Sequence, residues 1–141
     1  MLGLLGTTSA QALSITVRGT DGVAVTAYRY TIEEDSTFDV VPDVTGLNGD
    51  PTLSLGFHRS FTRVVQVGHS DTNGAVTFSP PTDTTKRYYV SVMPDNASFA
   101  TSATGYTMNG MPIRAVGGSF GDVVVPVNPL PMQTAQISVF V

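Results

Sequence analysis

The chain has 141 residues, of which 41% are hydrophobic and only 13% charged, with a net charge of −4. That length suffices for one domain with a core of its own, and the absence of cysteine excludes disulfides as its staples. Seven Lys and Arg scattered along the sequence supply no basic stripe for nucleic acid, and no apolar run approaches the ~18 residues of a membrane-spanning helix.

Residues 1–12, Met1-Leu2-Gly3-Leu4-Leu5-Gly6-Thr7-Thr8-Ser9-Ala10-Gln11-Ala12, combine a short apolar stretch with the Ala-x-Ala ending of a secretory signal, without its positive n-region. They are read either as signal-like or as an N-terminal extension that only docking could hold in order. Residues 13–141 are then the domain. Leu13, Ile15 and Val17 alternate with Ser14, Thr16 and Arg18, the period of a strand. Thr20-Asp21-Gly22 turns the chain. Val23, Val25, Ala27 and the run Tyr28-Arg29-Tyr30-Thr31-Ile32 read as one second strand, which Glu33-Glu34-Asp35 ends in solvent.

Ser36 to Pro51 reads as a long loop, broken by Pro42, Gly46, Asn48-Gly49 and Asp50-Pro51. Leu53, Leu55 and Phe57 alternate again, and Val64, Val65 and Val67 form a short strand. In Asp71-Thr72-Asn73-Gly74 the Asn-Gly pair suits a turn with positive φ, and Ala75 to Phe78 follows as a strand. Arg87 to Met93 places Tyr88, Val90 and Val92 on one face and Tyr89, Ser91 and Met93 on the other. Asn96 to Gly121 reads as polar loop. Val123, Val125 and Val127 alternate, and Ala135, Ile137, Val139 and Val141 close the sequence. No stretch carries a 3.6-residue period with caps. The expectation is an all-β sandwich whose core holds Leu13, Ile15, Val17, Val25, Leu55, Phe57, Phe78, Tyr88, Val90, Val92, Val125, Ile137 and Val139, because alternation puts each set on one face and only a facing sheet can cover it.

Two segments carry a resemblance. Ile15-Thr16-Val17 with Asp21-Gly22 and Val25 resembles the opening of carboxypeptidase-regulatory-like domains. Asp71-Thr72-Asn73-Gly74-Ala75-Val76-Thr77-Phe78 resembles their D-x-x-G-x-y-x-F hairpin, and Tyr88-Tyr89-Val90-Ser91-Val92 their next strand. The closing Pro131 to Val141 is similar to sequence between tandem modules of bacterial surface proteins, including modules related to the B-type repeats of serine-aspartate adhesins. The resemblance implies an immunoglobulin-like, prealbumin-like β-sandwich with long loop insertions, here Ser36–Pro51 and Asn96–Gly121. The calcium-binding carboxylates of the B-type repeats have no matching positions, so that site is not carried over.

Catalytic constellations are hard to find. The two histidines are His58 and His69. Gly68-His69-Ser70-Asp71 holds triad residue types side by side, but neighbours on an extended chain point to opposite faces, so no relay and no enzyme is expected. Glu33, Glu34, Asp35 and Asp39 could gather around Ca2+, which takes six to eight oxygens; a solvated strand end is the simpler reading, and no metal or cofactor is expected. Asn96-Ala97-Ser98 is a glycosylation sequon. Tyr28, Tyr30, Tyr88 and Tyr89 suit either a carbohydrate platform or cross-strand packing, and packing is preferred.

The terminal strands are the strongest functional sign. Gln133 to Val141 has no charge and Leu13 to Arg18 has one, whereas bare sheet edges are normally blunted by Lys, Pro or bulges. Either these strands pair with each other and with inner strands, or one of them is donated to a neighbouring copy. Met1–Arg18 is the first donor and Gln133–Val141 the second, with Leu2, Leu4, Leu5, Leu13, Ile15, Val17, Ile137, Val139 and Val141 as assembly residues. The expected function is a structural subunit of a secreted, non-covalent surface filament, a helical homo-oligomer. An adhesin or ligand-binding module of a larger surface protein is the alternative, with surface glycans as its partners.

Overall fold

The computed structural model describes residues 12–36, 62–80, 83–98 and 104–132. Among them the regular structure is all strand, with no helix. β1 (Leu13–Gly19) alternates as expected and buries Leu13, Ile15 and Val17. It turns at Asp21, whose carboxylate accepts the Val23 N–H at 3.1 Å, and at Gly22, whose φ of 88° suits a residue without Cβ.

The expected single strand from Val23 to Ile32 is two strands in two sheets. β2 (Ala24–Val25) pairs with the end of β1, while β3 (Tyr28–Glu34) belongs to the opposite sheet. Thr26 and Ala27 are both exposed and form the corner between them. Burial changes phase there, from odd-numbered Val25 to even-numbered Tyr28, Tyr30 and Ile32. β3 does not end at Ile32 either, since Glu33 and Glu34 continue its ladder.

β4 (Arg63–His69) lies antiparallel to one side of β3, with a bulge opposite Ile32/Glu33. β5 (Ala75–Phe78) follows the Asp71–Gly74 turn, where Gly74 has φ 76°, and pairs antiparallel with β1. β6 (Tyr88–Pro94) takes the other side of β3. β7 (Gly105–Tyr106), β8 (Asn109–Ile113), β9 (Ala115–Val116) and β10 (Ser119–Phe120) occupy the stretch expected to be loop. β8 is the fourth strand of the second sheet, and Ile113 and Phe120 enter the core. The alternation of β8 is hidden by Gly110 and by Pro112, a residue tolerated where a strand has a free edge. β11 (Val123–Val127) runs parallel to β1, and the short β12 (Pro129–Leu130) pairs with β7.

The result is sandwich-like. One sheet has β1 at its centre, flanked by β11 on one side and by β2 and β5 on the other; the second has the order β4-β3-β6-β8. Their facing side chains make one cluster, including Ile15, Val125 and Phe78 from the first sheet and Tyr28, Ile32, Tyr88, Val90 and Val92 from the second. Every expected core residue among the described ones is buried. Leu55, Phe57, Ile137 and Val139 lie outside the described residues. Tyr28 ties the layers together: its hydroxyl faces the Ile15 carbonyl at 3.1 Å and the Gly74 carbonyl at 3.0 Å, and burial, followed by the nearby Asp71 and Tyr30, pushes it up to about 12.

Registers fix where the chain enters and leaves. Leu13 pairs with Phe78, whose ring meets Tyr88 edge-on at 5.2 Å, so the β1 start shares a pole with Tyr88 and Glu34. Gly19 pairs with Val127, and Tyr106, beside β12, reaches Asp21. Ala12 and Met132 therefore lie at opposite poles.

Ile15 is fully buried whereas Val67 is 69% exposed. Ile15→Ala should cost about 2–5 kcal/mol, and Val67→Ala should stay within about 0.5 kcal/mol, in urea unfolding followed by circular dichroism.

Candidate functional site: an uncovered sheet edge

Of the two outcomes open to the first strand, β1 shows pairing within its own chain. Both flanks of Leu13, Ile15 and Val17 are filled by the chain's own strands, and their side chains are in its own core. The reason is topological: β11 arrives parallel and closes the side that the sequence left open. Leu2, Leu4, Leu5, Ile137, Val139 and Val141 lie outside the described residues.

Among the described residues β4 is the longest of the sheet edges without an outer strand, the others being β8, β11 and the β2/β5 flank. It ends the order β4-β3-β6-β8 and has no strand on its outer side among the described residues. Val64 is 50% exposed, Val65 37% and Val67 69%. The inward positions hold Gln66 and Gly68. Gly68 sits against the Tyr30 ring, where a Cβ would come within 3.3 Å of ring carbons. Gln66 Nε2 donates to Tyr30 Oη at 2.7 Å and to the Thr77 carbonyl at 3.1 Å, latching β4 to β5 across the open side of the sandwich. With the large tyrosine filling the interior beneath β4, the valines face outward. Edge strands are usually protected by Lys or Pro, and β4 has neither; among the described residues it is blunted by its bulge at Val65 and by Arg63 at one end. The β8 edge contains Pro112, and the β11 edge Pro126.

His69, at the end of β4, corrects an expectation. Its Nε2 lies 2.9 Å from Asp95 Oδ2, and its Nδ1 lies 3.5 Å from Ser70 Oγ, so carboxylate, imidazole and hydroxyl do stand in reach of one another. Ser70 lies just past the end of β4, where strict strand alternation no longer holds. The bonding opposes nucleophilic use. Ser70 Oγ donates to the Thr26 carbonyl at 2.8 Å and accepts the Tyr28 N–H at 3.2 Å. His69 Nδ1 faces the Ser70 carbonyl at 3.1 Å. Both ring nitrogens thus face acceptor oxygens. The hydrogen bond that the His69 ring gives to Asp95, then the one it gives to the Ser70 carbonyl, hold its pKa above the ordinary 6.5; desolvation and Arg29 act the other way.

The acidic run does not gather. Glu34 accepts Lys86 Nζ at 2.7 Å, which raises the lysine pKa, and Asp35 faces Arg114 at 4.0 Å. No metal-binding group of three acidic or His side chains forms among the described residues; Asp39 and His58 lie outside them. Tyr28, Tyr30 and Tyr88 are core residues, while Tyr89 is 39% exposed. Asn96 sits in an exposed turn after β6. Gln66 was missed by sequence reasoning, although a glutamine between valines was a sign that the apolar residues need not face inward.

No protein-family model matches the chain, and a search of curated proteins finds no match.

A raised folded pKa means that the native chain binds the proton more tightly than the unfolded one. The stabilisation from His69–Asp95 is therefore complete below the ordinary imidazole pKa of 6.5 and fades as pH rises through the higher native value. Thermal melts of the wild type and His69→Gln should differ most in mild acid and converge in mild alkali. The difference should be small, because both partners are exposed.

Proposed function

We propose that this chain is a structural subunit of a secreted, non-covalent surface filament in which a terminal segment of one copy adds to the β4 edge of the next. The observation that carries the reading is β4 itself: a seven-residue edge with exposed Val64, Val65 and Val67 and no Lys or Pro. Backbone groups on such an edge take up an extended segment as a new strand. The segments offered by the sequence, Met1–Ala12 and Gln133–Val141, contain no charged residue, so they can lie along the valines without burying a charge. Entry and exit at opposite poles favour a head-to-tail arrangement, which extends rather than closes.

Within this reading the sandwich is of the immunoglobulin-like, prealbumin-like type that the resemblance implies. The parallel pairing of β1 with β11 supports it. The reading is non-enzymatic, supported by the hydroxyl of Ser70 being held by Thr26 and Tyr28. Entry and exit at opposite poles equally suit a module strung between others, so an adhesin module of a larger surface protein is the second reading.

Lysine on an exposed edge blocks strand addition at little cost to the fold. Val65→Lys/Val67→Lys should remain folded and stay monomeric by light scattering, while the wild type forms fibres in negative stain. Deleting residues 1–11 or 133–141 should separately identify the donor; the deletion stops short of Leu13 because β1 is core. A wild type that remains monomeric at high concentration would sink the filament reading, and unchanged fibres from the lysine variant would exclude β4 as acceptor.

A further inference from the structure

The outer face of the second sheet carries a feature that fibre assembly does not use. Glu33 on β3, Tyr89 on β6 and Pro112 on β8 are direct register partners, Glu33↔Tyr89 and Tyr89↔Pro112, and so form one row across the sheet. Asp35, Thr62 and Arg114 stand beside this row at the pole where β1 begins. Together these residues line a shallow groove of about 440 Å3. Tyr89 is the one member of the four-tyrosine set outside the core. Its ring lies across Gly110 of β8: a Cβ added there would fall 2.5 Å from Tyr89 Cε1, 2.7 Å from its hydroxyl and 2.7 Å from the Val90 carbonyl oxygen. Glycine at 110 thus lets the ring lie over the neighbouring strand instead of standing away from it, and leaves a broad aromatic surface beside Pro112.

We infer that this groove binds a neutral saccharide, with the apolar face of a sugar ring on Tyr89 and its hydroxyls toward Glu33, Thr62 and Arg114. The chemistry of the lining selects this class. Aromatic and proline surfaces match the C–H face of a pyranose. Carboxylates accept from sugar hydroxyls, a guanidinium donates to them, and the threonine hydroxyl does both. A small, largely apolar concavity with a few convergent polar groups is the ordinary form of a small-molecule site. The mixed charge disfavours ionic ligands: an anion meets Glu33 and Asp35, and an organic cation meets Arg114, whose side chain is 49% exposed 4.0 Å from Asp35. A polyol is repelled by neither.

The test is titration of the full 15N-labelled chain with cellobiose, maltose, lactose and chitobiose, with choline chloride as the organic-cation probe. Shift changes with at least one disaccharide, centred on Glu33, Tyr89, Gly110 and Arg114, are expected. Tyr89→Ala should weaken that binding roughly tenfold, with the fold checked by its unchanged amide spectrum elsewhere. Tyr89→Phe keeps the ring and should retain most of the affinity. The inference is overturned if no disaccharide shifts these residues, if only choline does, or if Tyr89→Ala binds as the wild type.

Discussion

The structure depends on the central position of β1. Its register joins β11 on one flank to β5 and β2 on the other, so one seven-residue strand holds together a sheet whose other members come from widely separated parts of the sequence. Its three inward side chains, Leu13, Ile15 and Val17, are all buried. Tyr28 then fastens the second sheet to this strand through the Ile15 carbonyl. Such a sheet cannot form locally, because β11 must return across more than a hundred residues to pair with β1. The entropy of closing that loop is recovered only when the whole layer is in place.

Much of this is legible in the sequence. Alternation identified the core faces of β1, β6 and β11, because a two-residue period has one physical cause in a half-buried strand. What alternation could not supply was partnership. Nothing local in Leu13–Gly19 says that a parallel strand will cover it, so a terminal strand with a single charge looked like an edge, while β4 read only as a short strand with no side assigned to its valines. The valines of β4 face outward because Tyr30 and Gly68 settle which side is interior. The corner at Thr26-Ala27 was written as a change of phase in the apolar positions, a signal that a continuous run of β-formers obscured. β8 was hidden for the opposite reason, since glycine and proline at outward positions read as breakers although an edge strand tolerates both.

The candidate sites divide along the same line. Residue types were visible: His69 beside Ser70, the acidic run, the tyrosines. Their roles depend on what the other sheet strands bring alongside. Asp95 reaches His69 from the end of β6, Lys86 reaches Glu34 from the connection before it, and Gly110 gives the Tyr89 ring its resting place from β8. None of these pairings has a sequence spacing that could have announced it. The β4 edge and the Tyr89 groove share the second sheet but use different parts of it, the one its backbone rim and the other its side-chain surface, so a fibre could leave the groove open along its length.

The parallel pairing of β1 and β11 has a mechanical consequence. Pulling through Ala12 at one pole and Met132 at the other drags the two strands past each other along their length. The ladder from Ile15↔Val123 to Gly19↔Val127 is then loaded in shear, with its rungs sharing the force and yielding together. Had the strands been antiparallel with their free ends at one pole, the same tension would have opened the rungs one at a time, like a zipper. A domain wired in this way resists extension out of proportion to its thermodynamic stability, because force resistance follows the direction of loading and the unfolding barrier rather than the equilibrium free energy.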